Sequence, residues 1–466
     1  METASSASEK SFKRSVLVVT TFASFIPPFL ASSINLALPT IGREFSADAI
    51  KLGWVISAFI LSSAIFLLPA GKLGDIIGRK KLFSFGMLFF TISIFLIVFS
   101  WNINVVIIFR LLQGISTSML FGTSMAIVTA VFEPGERGSA IGINSTATYL
   151  GMSVGPVIGG LLTQHFGWRS IFIFLVPFGI LSLILIKKKM KIDWADAAGE
   201  KYDWKGSLLY GFALLSLMYG FSRLPDLTGW ICLISGLALI LSFMIMELKI
   251  ANPVFDFKLV FNNRIFAFSA IAALINYSAT SAITFFLSLY LQYVKGFDAR
   301  IAGLIMISQP VAMTVLSSIA GRLSDKKDPG IIASTGMGII SLCLVLLCFI
   351  NETTYVVYLV ILLLILGVGF GLFASPNSNA IMSSVDKKFL GVASATVGTM
   401  RTIGQMMSMA IAMMLLSLYV GRETIVPSNY PGLLLTMRTG FFIYAIFSAL
   451  GIFASMARRK RDTADQ

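Results

Sequence analysis

Long apolar runs separated by short polar turns make up most of this 466-residue chain. Fourteen of the runs approach or exceed about 20 residues, the length that an α-helix needs to cross a bilayer. The pattern therefore predicts an all-α, polytopic membrane protein. The predicted helices cover approximately 16–38, 52–71, 82–100, 104–130, 139–164, 170–187, 206–223, 228–248, 265–293, 301–320, 330–350, 355–376, 391–419 and 438–457.

Composition agrees with this class. Hydrophobic residues make up 56% of the chain and charged residues 12%, and the mean hydropathy is +0.87. The net charge of +14 could indicate nucleic-acid binding, but the basic residues cluster in the short loops between spans. Of the lysines and arginines, 26 fall on the side of the two termini and 8 on the other side. The positive-inside rule therefore predicts a multi-pass protein of the cell membrane with both termini cytoplasmic and no nucleic-acid partner.

The chain contains a parallel internal repeat. At an offset of 253 residues Gly114 falls on Gly367 and Gly151 falls on Gly404. Such a repeat places a substrate site between the two halves, near the middle of the membrane. Two predicted helices have no counterpart in the overlay and are interpreted as an insertion. We expect an N-terminal six-helix bundle at 1–190, a solvated cytosolic linker with the two inserted helices at 191–250, and a C-terminal six-helix bundle at 251–466.

The polar turn Gly71–Lys81, GKLGDIIGRKK, has the features of a gate. Asp75 lies one helical turn before Arg79, and a weaker copy of the turn recurs at 321–327. We expect Asp75 to face the start of a helix in the other half and Arg79 to pair with Glu133, holding the cytosolic side closed. The predicted gate residues are Gly71, Asp75, Gly78, Arg79, Glu133 and Asp325.

Small residues recur every four positions in the fifth predicted helix, at Gly151, Gly155 and Gly159. One face of this helix is therefore bare backbone, against which another helix can pack closely. Pro156 weakens the backbone hydrogen bonding at the same level, so a moving hinge is a second interpretation. Either role would seal one side of a central cavity.

Two arginines fall inside predicted spans. Arg110 lies one turn from Gln113, and Arg401 lies one turn from Gln405. An arginine at membrane depth is costly, so each should face a cavity and have a partner. For Arg110 a strut bonded to helix carbonyls is an equal alternative, whereas for Arg401 we favour the cavity. The cavity candidates are Asn35, Arg110, Gln113, Asn144, Asn276, Gln309, Asn377, Arg401 and Gln405.

These segments resemble the signature motifs of the major facilitator superfamily. The turn resembles motif A, RLLQG at 110–114 resembles motif B, and GMSVGPVIGG at 151–160 is similar to motif C, the signature associated with exporters. The resemblance to the fourteen-helix drug:proton antiporter branch covers essentially the whole chain. It implies two bundles that rock about a central site, export of small amphiphilic or drug-like compounds, and a proton gradient in place of a bound cofactor.

The acidic residues depart from that resemblance. None of the 22 lies in the middle of a predicted span, and Leu30 stands where these antiporters commonly carry an aspartate. We therefore expect a neutral, amphiphilic or anionic substrate, with any proton carried by Asp75 or Glu133. A lipid flippase or an anion-selective transporter is the alternative. No metal-ligand spacing or catalytic cluster is present in the sequence, so we do not expect an enzyme or a metal site. As partners we expect membrane lipid and the substrate, with the protein a monomer.

Overall fold

The computed structural model describes residues 2–190, 192–195, 197–250, 253–255, 257–324, 326–385 and 390–458. Within these ranges the regular structure is helical and contains no strand, which confirms the all-α class. Short turns such as the one at Ser46–Asp48 join long helices and reverse the chain. The N-terminal half consists of α1 Glu2–Phe45, α2 Ala49–Ile77, α3 Arg79–Leu96, α4 Ile103–Val131, α5 Pro134–Phe166 and α6 Arg169–Lys189.

Two further helices and a second set of long helices follow. Asp203 begins the first of them by accepting a hydrogen bond from the Gly206 amide (2.9 Å), a typical N-cap. The inserted helices are α7 Trp204–Arg223 and α8 Leu227–Glu247. The remaining helices are α9 Phe257–Asn262, α10 Arg264–Thr280, α11 Ala282–Leu289, α12 Ala299–Met306, α13 Ser308–Ser324, α14 Pro329–Leu347, α15 Val356–Ser383, α16 Leu390–Tyr419 and α17 Tyr430–Ala457.

Twelve helical segments of the described ranges are long and apolar enough to cross a membrane. The predicted count of fourteen includes two more, α5 and α7, which have the length of a span but are not among the twelve. The α5 sequence is rich in serine, threonine, glycine and asparagine, and α7 carries Lys205 and Arg223 at its ends. These residues lower the hydropathy of the two helices. The number of spans therefore stays a prediction.

The two halves repeat the same helix pairings. In the N-terminal half α1 packs on α5, α2 on α4, and α3 on α6. In the C-terminal half α10 packs on α16, α13 on α15, and α14 on α17, which are the corresponding helices of the overlay. The inserted helices form a hairpin whose first helix, α7, packs on both α2 and α16. The hairpin therefore lies outside both bundles, beside the place where they meet.

The glycine face of α5 packs directly on the backbone of α1. A methyl group added at Gly151 would lie 2.6 Å from the carbonyl oxygen of Phe25, and one added at Gly159 would lie 2.8 Å from the Cα of Ser33. The Ser33 hydroxyl donates to the carbonyl of Gly155 at 2.9 Å. Pro156 lies within the same continuous helix. This close approach depends on residues without a side chain.

Candidate functional site

The two ends of the helix bundle differ in charge and in contact. We call one end the basic face; it carries the turn Gly71–Lys81, the linker 192–203 and Arg458. At the opposite face the halves touch directly. The Ala49 amide donates to the Glu423 carbonyl (3.0 Å), and the Ser57 hydroxyl lies 3.2 Å from the Met413 sulfur. Contacts between α2 and α16 therefore close this face.

A second seam, between α5 and α12, closes the same face. Gly160 approaches the backbone of Ala299 so closely that an added methyl group would lie 3.1 Å from the Ala299 carbonyl carbon. Gly303 approaches Pro156 in the same way, with the Pro156 carbonyl carbon 2.9 Å from an added methyl group. Backbone-to-backbone contact of this kind excludes water and leaves no space for a side chain.

One face of α5 shows where the halves separate. Ser153, on this face, lies 3.4 Å from Thr314 of α13, and Gly160, two turns further on, lies in the closed seam. Nearer the basic face, Ser139, Thr146 and Leu150 occupy the same helical stripe and are exposed. Along α5 the halves therefore diverge from Ser153 towards the basic face, and the space between them opens there, whereas on the other edge Gly398 of α16 still lies beside Leu67 of α2.

Arg401 lies at the level where this space narrows. Its side chain is half-buried, and its Cζ lies 5.9 Å from the ring centroid of Phe121 on α4. Tyr149 on α5 and Tyr277 on α10 also lie within electrostatic range of the guanidinium. Among the described residues no side chain or carbonyl accepts a hydrogen bond from it. Gln405, one turn along α16, is half-buried and likewise has no hydrogen-bond partner within the described part of the chain.

A small apolar cavity of about 70 Å³ lies between α1, α5, α11, α12, α13 and α15. Met152, Met306 and Met313 line it together with one amide side chain, Gln309. Methionine side chains adapt to ligands of varied shape. The described residues that line this cavity include no aspartate or glutamate.

Arg110 has a structural position. It is 1% exposed, donates from Nε to the Val55 carbonyl (2.9 Å) and from a terminal nitrogen to Gln113 Oε1 (2.9 Å), and lies over the Phe59 ring at 4.4 Å. These contacts fix α4 against α2 inside the N-terminal half. Of the two interpretations of Arg110, the geometry supports the strut bonded to helix carbonyls. Gln113 takes part in the same strut by accepting a hydrogen bond from Arg110.

The predicted asparagines lie in several different places. Asn144 accepts hydrogen bonds from Thr20 (3.4 Å) and Thr21 (3.1 Å) and so joins α5 to α1. The Asn35 side-chain amide donates to the Ala31 carbonyl of its own helix (2.9 Å), and the Asn35 backbone carbonyl accepts from the Ser288 hydroxyl of the other half at 2.5 Å. Asn276 is fully buried with no partner for its amide group among the described residues.

Asn377 belongs to a cluster around Arg458, which the sequence did not reveal as buried. Arg458 donates to Asn377 Oδ1 (2.8 Å), to the Ser269 hydroxyl (3.0 Å) and to the Pro329 carbonyl (3.0 Å). Burial lowers the pKa of Arg458 to about 10, so the group stays charged at neutral pH. Asn377 thus fixes helix ends at the basic face and does not line the central space.

The gate residues have other partners than expected. Arg79 bonds Asp75 of its own turn (2.7 Å), whereas Glu133 is exposed and lies 4.0 Å from Lys13. Gly78 has φ +112, a conformation that favours glycine, and Gly71 adjoins Gly122 of α4. The pairing of Arg79 with Glu133 is therefore not present in this conformation. Asp325 lies outside the described residues.

The linker that leads to the hairpin covers this turn. The Arg79 amide donates to the Trp194 carbonyl (2.8 Å), and the Ala197 amide donates to the Asp75 carbonyl (2.9 Å). Lys72 forms an ion pair with Glu200 at 2.6 Å. The linker is thus bound to the turn at Trp194, Ala197 and Glu200, while most of its described residues are exposed.

Comparison with known proteins identifies the class. The family model described as Major Facilitator Superfamily matches residues 20–409, and the chain belongs to this superfamily of membrane transporters. It is 31% identical over 388 residues to the riboflavin transporter RibZ of Clostridioides difficile (strain 630), covering 83% of this chain and 85% of that protein. It is 28% identical over 405 residues to the multidrug resistance protein Stp of Mycobacterium tuberculosis (strain CDC 1551 / Oshkosh), covering 85% and 74%.

Solved structures agree with the fold. A bacterial homologue of the human lysosomal transporter Spinster, in an inward-facing and unoccupied conformation, aligns with a TM-score of 0.68. The alignment covers 98% of this chain and 99% of that one at 14% identity. The predicted family and fold class are confirmed. The protein is a multi-pass membrane protein of a superfamily whose members transport small molecules.

Proposed function

We propose that this transporter moves small planar aromatic compounds, neutral or anionic, across the cell membrane through the space beside Arg401. The single observation that carries the proposal is a half-buried guanidinium without a hydrogen-bond partner among the described residues, placed near Phe121, Tyr149 and Tyr277. A guanidinium donates in its plane to carbonyl, carboxylate or phosphate oxygens, and aromatic side chains stack on flat rings. A cationic ligand would be repelled there.

Riboflavin is the first compound to test. Its fused ring system is planar and uncharged at neutral pH, and it carries carbonyl oxygens that accept hydrogen bonds. The similarity to a riboflavin transporter over most of both chains supports this choice. The similarity to a multidrug resistance protein supports a wider range of amphiphilic, drug-like compounds, for which the methionine-lined cavity offers an adaptable surface.

Alternating access is the mechanism that the contacts favour. The seams between α2 and α16 and between α5 and α12 close the opposite face, while the space opens at the basic face. Rocking the halves would break these seams and close the basic face, and the α1 and α5 pair would move as one body. The positive-inside rule makes the basic face cytosolic, and the exporter-like motif C makes export the expected direction.

The test is transport by purified protein in proteoliposomes under an imposed pH gradient. We expect movement of riboflavin, no movement of the lipophilic cation tetraphenylphosphonium, and loss of riboflavin movement in Arg401→Ala. Protein-free liposomes give the background. Transport of tetraphenylphosphonium without any transport of riboflavin would overturn the proposed substrate class. Riboflavin movement that is independent of the pH gradient would remove proton coupling and leave the substrate proposal intact.

A further inference from the structure

Two carboxyl groups meet at the base of the inserted hairpin, away from the central space. Asp203 immediately precedes α7, and Glu247 is the last residue of α8. Glu247 is 2% exposed. Its Oε1 and the Oδ2 of Asp203 are both buried, and neither has a hydrogen-bond partner among the described residues. Both oxygens contact the same point beside the Cα of Gly206, which is open because glycine has no side chain.

The other oxygen of each carboxyl group is fixed by a backbone amide. Asp203 Oδ1 accepts from the Gly206 amide at 2.9 Å, and Glu247 Oε2 accepts from the Phe255 amide at 3.1 Å. The free oxygens are therefore held facing each other and cannot turn away without losing these bonds. Two ionised carboxylates that share a buried site repel each other, and burial disfavours both charges. One shared proton converts the repulsion into a hydrogen bond.

The surroundings supply no compensating cation. No lysine or arginine of the described residues lies within ion-pair distance of Asp203 or Glu247. Lys205 beside α7, Lys249 after α8 and Lys258 on α9 are all exposed. The neighbouring phenol of Tyr202 bonds the Ser207 hydroxyl at 2.8 Å.

Aromatic rings cover the side of the pair that faces the bundle. Phe243 of α8 packs on Tyr210 of α7 with ring centroids 5.3 Å apart, and the Tyr210 hydroxyl donates to the Ala64 carbonyl (3.1 Å). Phe257 packs on both Phe243 (5.8 Å) and Phe255 (4.7 Å). Apolar groups of this kind keep water from solvating a second negative charge.

We propose that Asp203 and Glu247 together bind one proton from the basic face, and that this proton fastens the end of α8 to the segment that leads into the C-terminal half. Release of the proton leaves two facing carboxylates, which separate, and the hydrogen bond from the Phe255 amide to Glu247 breaks. The site lies outside the central space and needs no substrate. Its test therefore does not depend on the proposed function.

Infrared titration of the purified full chain tests proton binding directly. A protonated buried carboxylic acid has a C=O stretch that an ionised carboxylate lacks. We expect one such band to persist near neutral pH and to disappear towards about pH 9, well above the range in which free carboxyl groups titrate. Glu247→Gln should remove the band. Glu200→Gln, which removes a partly exposed carboxylate paired with Lys72, should leave it unchanged.

Asp203→Asn is the second variant, because its amide oxygen still accepts from the Gly206 amide and the helix cap is kept. Absence of the band in the unmodified protein, or its persistence in both variants, would overturn the proposal. Hydrogen exchange gives an independent measurement. After correction for the intrinsic pH dependence, exchange at the Phe255 amide should rise at high pH in the unmodified protein and stay constant in Glu247→Gln; equal behaviour of the two proteins would also count against it.

Discussion

Replacement of Arg401 by alanine separates a binding role from a structural one. The Arg401 guanidinium has no hydrogen-bond partner among the described residues, and its contact with Phe121 is long at 5.9 Å. Its removal should therefore cost the free protein less than about 1 kcal/mol, the range of a partly exposed cation–π contact. A charge-assisted hydrogen bond to a bound ligand contributes about 1.5–3 kcal/mol. We expect Arg401→Ala to weaken riboflavin binding by about 10- to 150-fold.

The matched control is Arg110→Ala. Arg110 is 1% exposed and makes two hydrogen bonds and a close ring contact. Its loss removes both hydrogen bonds and leaves the buried Gln113 Oε1 without a partner. This should lower the free energy of unfolding by about 3 kcal/mol, the value for two hydrogen bonds to a charged group at about 1.5 kcal/mol each.

Binding is measured by quenching of riboflavin fluorescence in detergent, and stability by thermal unfolding of the same samples. Arg401→Lys keeps the charge without the planar fork, so its affinity should fall between those of the unmodified protein and Arg401→Ala. Unchanged riboflavin affinity in Arg401→Ala, in a protein that does bind riboflavin, would refute the reasoning. A loss of stability in Arg401→Ala equal to that in Arg110→Ala would do so as well.

Three further predictions concern the packing of α5 on α1, the hydrogen bonds of Arg458 and the closed seam between the halves. Gly155→Ala places a methyl group 2.9 Å from the Phe29 carbonyl and should destabilise the protein by about 1–3 kcal/mol in thermal unfolding, whereas Gly142→Ala, with open space around it, should be neutral or stabilising by about 0.5–1 kcal/mol. Arg458→Ala removes the hydrogen bonds to Ser269, Asn377 and the Pro329 carbonyl, on three helices, and should lower stability by about 3 kcal/mol. A disulfide between cysteines placed at Ser153 and Thr314, whose hydroxyl oxygens are 3.4 Å apart, should stop transport until a reductant is added, because it holds α5 to the other half at the edge of the closed seam.

Each of these has a contrary outcome. Equal unfolding temperatures for the two glycine variants would contradict the direct packing of α5 on α1. An unchanged melting temperature for the Arg458 variant would mean that its hydrogen bonds contribute nothing net. Full transport by the cross-linked protein, with the disulfide verified by mass spectrometry, would contradict the opening of that seam in the transport cycle.

The sequence predicted the helical class because apolar runs of span length have few other structures open to them. It also indicated the close packing of α5, since glycines at every fourth position leave one face without side chains. The hydrogen bond from Arg110 to Gln113 follows from a spacing of three residues on one helix. In each of these cases the pattern and its consequence lie within one element.

Contacts between distant elements could not be predicted in the same way. Asn377 signalled that a polar group needed a partner, but that partner, Arg458, lies 81 residues away in a segment that reads as a basic tail. The linker binds the turn Gly71–Lys81 largely through backbone amides and carbonyls, at Trp194 and Ala197, and backbone groups leave no trace in the sequence. Asp75 lies only four residues before Arg79, a spacing that allows them to pair. Whether Arg79 contacts Asp75 or the distant Glu133 depends on the conformation, which no single sequence specifies.

The inserted hairpin is held firmly at one level and loosely at another. Tyr210 fastens α7 to α2 by a hydrogen bond to Ala64, but further along a groove of about 480 Å³ is lined by Trp54 of α2 and by residues of α7 and α8. A hairpin that is fixed at one level and separated by a groove at another lets the helices beneath it change their tilt without detaching it. The hairpin can therefore remain attached while the two halves move. Larger side chains that fill the groove should slow this movement before they affect folding.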